Sequence, residues 1–169
     1  MCPPSSPDFP SATFALGLSP LWCLMSKWTE RFMDLASRVA AWSKDPNTRV
    51  GAVAVSDHRQ VLETGYNGLP RGVKDLPERL ARPAKYAWTA HAEENLVAHA
   101  ARARLQGATV YVTHMCCASC TRMLINAGVA KVIVGPGTTS MPPEQFDIAR
   151  AMLKEAGVAL YCEDDAIGG

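Results

Sequence analysis

Five short apolar runs, RVGAVAVS, QVLETGYN, TVYVT, KVIVG and VALYC, constrain this chain more than any other feature. Each has the length of a strand and is too short for a buried helix. Between them lie stretches with helical spacing. From Ser26 to Trp42 apolar residues recur at Phe32, Leu35, Ala36, Val39 and Ala40, and QFDIARAMLKEAG repeats the pattern at Phe146, Ala149, Met152, Leu153 and Ala156. HAEENLVAHAARARL is Ala-rich and helical, and TRMLINAG reads as a helix that Gly128 is placed to cap. Pro46 ends the first helix, having no N–H to continue it. The polar DHR turn joins the first two runs as a hairpin. Helices alternating with short strands imply an α/β fold, expected as a three-layer α/β/α sandwich around a central mixed sheet of about five strands.

At 169 residues and 48% hydrophobic content, the chain can bury a core as one domain. Residues 1–24 are rich in Pro and Ser and hold no Lys or Arg. They read as a loose extension, with Met25 a candidate natural start and residues 25–165 the folded domain. The extension lacks the basic start and long apolar core of a signal peptide. No run of 18 apolar residues occurs, so no membrane partner is expected. With 17 basic and 16 acidic residues there is no broad basic field, and no nucleic-acid partner is expected either. A small or modestly charged ligand fits better. The cysteines at 2, 23, 116, 117, 120 and 162 do not spread as a disulfide framework would, and half fall in THMCCASC. That favours a reduced, cytoplasmic compartment and metal or redox chemistry. GLPRGVKDLPERLARPAKYAW is too long for an idle connection and is expected to line a site.

Taken alone, His91 of HAE is a polar residue at a helix start. CASC alone, after a strand and opening a helix, divides between a thioredoxin-like dithiol and a metal site. Together, one imidazole and the thiolates of Cys117 and Cys120 supply three ligands to a tetrahedral zinc and leave the fourth position open for water, as in a catalytic site. Both motifs begin helices, whose partial positive N-termini favour thiolates. Glu93, two residues beyond His91, is not needed as a ligand and is suited to moving protons. Cys116 points away from its neighbour and is expected to pack in the core. His114 is read as a site-lining or hydrogen-bonded residue, because a fourth protein ligand would close the catalytic position. Cys2, Cys23 and Cys162 have no partners at metal spacing and are read as incidental.

These residues carry a resemblance to the cytidine and deoxycytidylate deaminase superfamily, and within it to the deoxycytidylate (dCMP) deaminases. It runs from Ser26 to Tyr161 through SKDPNTRVGAVAV, TGYNGLPRGVKD, ERLARPAKYAWTAHAEENLV, ATVYVTHMCCASCTRMLINAG and KVIVG. A His/Cys/Cys zinc with a non-ligand Glu is the arrangement of zinc-dependent base deaminases. The resemblance implies a cytidine deaminase-like fold, Zn2+ held by His91, Cys117 and Cys120, and Glu93 as proton shuttle. The implied reaction is hydrolysis of a cytosine nucleotide, dCMP to dUMP with release of ammonia. Asn67 of GYNG matches a residue that contacts the substrate sugar, although Asn-Gly is also a turn signal. Ala92 is placed among the substrate-binding residues. Where the family usually has proline before the second ligand, this chain has Cys116.

A nucleotide also needs a partner for its phosphate, and Lys44, Thr48, Arg49 and Arg71 are the candidates. A homo-oligomer, dimer or hexamer, is implied as well. The alternatives are another substrate (cytidine, CMP, dCTP, guanine or a modified pyrimidine nucleotide), a dithiol oxidoreductase, or a non-catalytic zinc module.

Overall fold

The structure is a computed structural model that describes residues 21–162, with side chains from residue 27 onward. In chain order the elements are α1 (Leu21–Ala40), β1 (Gly51–Val55), β2 (Val61–Tyr66), α2 (Pro77–Leu80), α3 (Lys85–Trp88), α4 (Ala92–His99), α5 (Arg102–Leu105), β3 (Thr109–His114), α6 (Ala118–Asn126), β4 (Lys131–Gly137), α7 (Pro143–Glu155) and β5 (Ala159–Cys162). Residues 1–20, most of the expected N-terminal extension, lie outside the described residues. Among the described residues no helix is long and apolar enough to cross a membrane.

The five strands form one sheet in the order β2-β1-β3-β4-β5. β1 pairs antiparallel with both β2 and β3, whereas β3, β4 and β5 run parallel. The parallel half follows from chain economy, because parallel neighbours need a crossover and α6 and α7 provide it. The antiparallel half is the hairpin expected from the sequence.

Alternation along the strands divides the core between two faces. Ala52, Ala54, Val110, Val112, Val132 and Val134 face one side, where Leu96 of α4, Leu124 of α6 and Leu153 of α7 cover them. Val53, Val55, Tyr111 and Ile133 face the other, under Phe32, Met33, Ala36 and Val39 of α1. Each fully buried Val or Leu is worth about 1.5–3 kcal/mol, so both layers are held on by ordinary apolar burial. The expected three-layer α/β/α sandwich is borne out.

Several details depart from the sequence reading. The helix expected over HAEENLVAHAARARL breaks at Ala100, whose backbone is extended, and resumes as α5. The break swings Leu105 into the core, where it is fully buried. The long segment before α4 is not wholly irregular, since it folds into α2 and α3. Cys162, read as incidental, is disulfide-bonded.

Two glycines fix how closely helices approach the sheet. A Cβ on Gly51 would lie 2.1 Å from the Ala36 carbonyl oxygen in α1, and one on Gly65 would lie 2.2 Å from the Ala92 carbonyl oxygen in α4. Both obstacles are backbone, so neither can yield as a side chain would. Gly65→Ala is therefore expected to cost about 3 kcal/mol or more, seen in thermal denaturation as a fall in Tm of roughly 6–12 °C. A Tm within about 2 °C of the parent would contradict this packing.

Candidate active site

His91 and Cys117 occupy equivalent places, each the residue before a helix. Their backbones are extended, with φ/ψ of −74/164 for His91 before α4 and −77/170 for Cys117 before α6. A residue in that position directs its side chain past the helix end, where unpaired N–H groups and the helix dipole favour negative charge. Two further bonds set the turns. The His91 N–H donates to Glu94 Oε2 at 2.7 Å, and the Thr121 N–H donates to the Cys117 carbonyl at 2.9 Å. Cys120, one turn into α6, then points to the same spot.

The ligand atoms of His91, Cys117 and Cys120 all lie within 4.8 Å of one another. With Zn–S near 2.3 Å and Zn–N near 2.0–2.1 Å, a tetrahedral zinc sets its S···N edges at about 3.5 Å. From His91 Nδ1 the sulfurs of Cys120 and Cys117 lie at 3.3 and 3.5 Å. The donors thus fit zinc in chemistry and in spacing. Cys116 is not in the group; it is buried in the core beside it, as the sequence suggested.

Without metal the three groups share protons. A hydrogen bond from the Cys120 thiol, with further help from His91 and Ser119, outweighs burial and lowers the Cys117 pKa to about 3. The same bond, with burial, pushes Cys120 far up. The Cys117 hydrogen bond, aided by the charge of Glu93, raises His91 to about 9 against the effect of burial. Near neutral pH the triad is accordingly an imidazolium, a thiolate and a thiol.

Glu93, the second residue of α4, is 4% exposed. Burial raises its pKa, opposed by a backbone hydrogen bond, the His91 charge and the Cys116 thiol. It lies on a cavity of roughly 690 Å³, open mouth included, whose lining also contains His91, Ala92, Cys117, Asn67 and Thr48.

The cavity's other wall is built on charges that the sequence reading missed. Asp45 is buried and accepts from the N–H groups of Asn47 (2.8 Å) and Thr48 (3.0 Å) and from Lys85 Nζ (2.6 Å). Burial alone would raise the Asp45 pKa, but these donors hold it below the ordinary carboxylate range. Asn67 continues the network, with Oδ1 accepting from the Val50 N–H at 2.7 Å and Nδ2 donating to the Thr48 carbonyl at 2.9 Å. The amide that the sequence assigned to substrate contact therefore also ties β2 to the loop before β1. DPNT carried a signal for Asp45, since an Asp two or three residues ahead of free N–H groups is a common turn device. Nothing in the sequence marked Lys85 as buried.

Of the expected phosphate partners, only Thr48 lines this cavity. Lys44 is paired with exposed Asp75, Arg71 is exposed beside the loop after β2, and Arg49 lies on a different cleft. The cations on the cavity are instead Arg82 and Lys85, from the long segment expected to line a site.

A mixed α/β/α sandwich with an imidazole and two sulfurs clustered at the wall of a cavity, and a buried carboxylate on it, has the make-up of a metal-dependent hydrolytic enzyme. The family described as "Cytidine and deoxycytidylate deaminase zinc-binding region" matches residues 26–136, and the chain belongs to it. Zinc is the cofactor, as the family and the donor set agree. The chain is 39% identical to an uncharacterized deaminase from the luxG 3' region of Aliivibrio fischeri, over 80% of this chain and 92% of that protein. It is 35% identical to the deoxycytidylate deaminase of Mus musculus, over 78% of this chain and 77% of that one. Among solved structures it resembles the dCMP deaminase of cyanophage S-TIM5 in complex with dCMP and dUMP, with a TM-score of 0.62 and 23% identity over 86% of this chain and 99% of that one.

Zinc binding must displace the His91 proton and the Cys120 proton, so affinity rises with pH below about 9. The dependence approaches a hundredfold per pH unit for two displaced protons, roughly, and flattens once both have left. Chelator-competition titrations between pH 6 and 8 check this. A pH-independent affinity would contradict the proton inventory of the site.

Proposed function

We propose that this chain hydrolyses dCMP to dUMP and ammonia, with His91, Cys117 and Cys120 holding zinc and Glu93 carrying protons. The observation that carries the reading is the buried Glu93 carboxylate on the same cavity as His91 and Cys117, whose ligand atoms cluster with that of Cys120 just behind the wall. The likeness to the mouse deoxycytidylate deaminase supports the choice of nucleotide.

Zinc bound at these residues supplies Lewis acidity that makes water a nucleophile near neutral pH. Glu93 takes the proton of the attacking water and delivers it to N3 of the cytosine ring as the C4–O bond forms. Glu93 next takes the proton of the new C4 hydroxyl and passes it to the 4-amino group; the C4–N bond breaks, C4=O forms and ammonia leaves. Its raised pKa suits it to holding the proton between these transfers. Burial keeps bulk water from taking that proton instead. Asn67, fixed through Val50 and Thr48, presents its amide edge toward the sugar. Arg82 has no ion-pair partner among the described residues and stands on the cavity wall, so it is the residue we assign to the phosphate. Lys85 is already charge-balanced by Asp45 and supports the wall. The homo-oligomer implied by the family resemblance belongs to this reading too, and light scattering reads it directly.

An ammonia-release assay over dCMP, CMP, deoxycytidine, cytidine, dCTP and guanine tests the substrate, with dCMP expected among the best. Glu93→Gln should retain one zinc per chain while kcat falls by roughly 10²–10⁴. Unchanged kcat would remove Glu93 from the mechanism, and loss of zinc would show that it acts on the metal site. Arg82→Ala should raise KM for dCMP about tenfold, as expected for one lost charged hydrogen bond, and leave deoxycytidine turnover unaltered. An equal effect on both substrates would exclude the phosphate assignment.

A further inference from the structure

His114 ends β3 and lines the cavity that holds His91 and Glu93, as well as a second cleft on its other side. Two contacts hold its ring. Nδ1 lies 2.9 Å from Thr113 Oγ1, and Thr113 Oγ1 itself accepts the Gly51 N–H at 3.1 Å. Gly137, paired with His114 across β3 and β4, packs on the ring. A Cβ there would lie 2.6 Å from both Cγ and Cε1, the two carbons that flank Nδ1. The Thr113 carbonyl oxygen would be nearer still, at 2.4 Å, so backbone and imidazole together exclude any side chain at 137.

The contacts also favour one tautomer. If Nδ1 carried the proton and donated to Thr113, the hydroxyl would accept twice and its own hydrogen would have no partner among the described residues. With the hydroxyl donating to Nδ1, every group in the chain Gly51–Thr113–His114 is used, and the ring proton sits on Nε2. Burial lowers the His114 pKa, consistent with a neutral ring. Nε2 is not the nitrogen that Thr113 holds, and no described residue accepts its hydrogen. A donor on a half-buried ring that lines the cavity beside His91 and Glu93, held in place and without a described protein acceptor, is suited to a ligand acceptor.

We propose that His114 contacts the substrate, donating its Nε2–H to an oxygen of the bound nucleotide. The acceptor is either a phosphate oxygen or an oxygen of the base or sugar. The inference rests on the reading that a cytosine nucleotide occupies the cavity. His114 is not a zinc ligand and carries no proton in the reaction; it fixes the nucleotide for attack.

The test compares zinc-loaded wild-type, His114→Leu, His114→Gln and His114→Asn proteins on dCMP and deoxycytidine. Zinc content and Tm are recorded alongside. In His114→Leu, kcat/KM for dCMP should fall about 10- to 100-fold, the range for a lost hydrogen bond to a charged or strongly polar oxygen. His114→Gln, whose amide N–H reaches the place of Nε2, should recover most of that loss. His114→Asn, whose amide reaches only the place of Nδ1, should not. A fall confined to dCMP assigns the contact to phosphate, and an equal fall on both substrates assigns it to the base or sugar.

Wild-type kcat/KM in His114→Leu, or equal impairment of the Gln and Asn variants, overturns the proposal. The Gln and Asn pair decides the matter even if the Leu variant does not fold. If the wild-type protein turns over neither substrate, it is the proposed reaction that has failed. Calorimetric dCMP binding then decides the contact separately: about tenfold weaker binding in His114→Asn than in His114→Gln supports it, and equal or absent binding overturns it.

Discussion

The close approach of α4 to β2 is the constraint on which the site depends. Gly65 has no Cβ, and the Ala92 carbonyl and Leu96 amide of α4 fill the space one would need. The start of that helix, with His91 and Glu93 on it, therefore rests at a fixed height above the sheet. The bridge between Gly68 and Ala90 ties down the chain just before His91. On the opposite face Gly51 permits the same closeness to α1. Gly51 is opposite Tyr66 and next in register to the Ala52–Gly65 pair, so both helices press on one narrow place of the β1–β2 hairpin. A catalytic geometry needs tolerances well under an ångström, and backbone-on-backbone packing gives less play than contacts between flexible side chains.

Assembling the metal donors then requires little more than two helix starts. β3 delivers Cys117 to the beginning of α6, and α4 and α6 pack against each other beneath the cavity. The site carries its own charge compensation before metal arrives, as an imidazolium beside a thiolate. Two buried cysteines and a half-buried imidazole thus coexist without an unpaired charge, with Ser119 adding a contact to the Cys117 sulfur at 3.1 Å. Cys116 fits because it plays no part in this. It is fully enclosed, its thiol is held protonated by burial, and it fills core space against Glu93.

What the sequence revealed and what it concealed differ in physical kind. Strand and helix order followed from periodicity, which reports only whether a side chain faces oil or water. The metal donors were legible because zinc accepts few side-chain types, and their places at helix starts are local. The wall formed by Asp45, Lys85 and Asn67 was not, since a lysine 40 residues from its partner looks like any surface cation. Lys44, Arg49 and Arg71 lie off the cavity for the same reason: proximity to a motif along the chain is not proximity in space. The break at Ala100 has no sequence signal among the alanines around it, and burial of Leu105 is its only visible reward. His114 was recognised as lining the site, but its tautomer depends on Thr113 and on a glycine on the neighbouring strand.

The buried Asp45–Lys85 pair has a consequence for how the cavity responds to ionic strength. Because its two charges cancel inside the protein, where counterions do not reach, that wall presents little net field to an approaching anion. Arg82, by contrast, is exposed at the cavity mouth, where dissolved ions screen it over a distance of about 8 Å at physiological salt. With Arg82 holding the phosphate, as proposed, added salt would loosen the grip on a charged tail while leaving recognition of the ring nearly untouched. Discrimination between a nucleotide and its nucleoside becomes a property of the solution as much as of the protein.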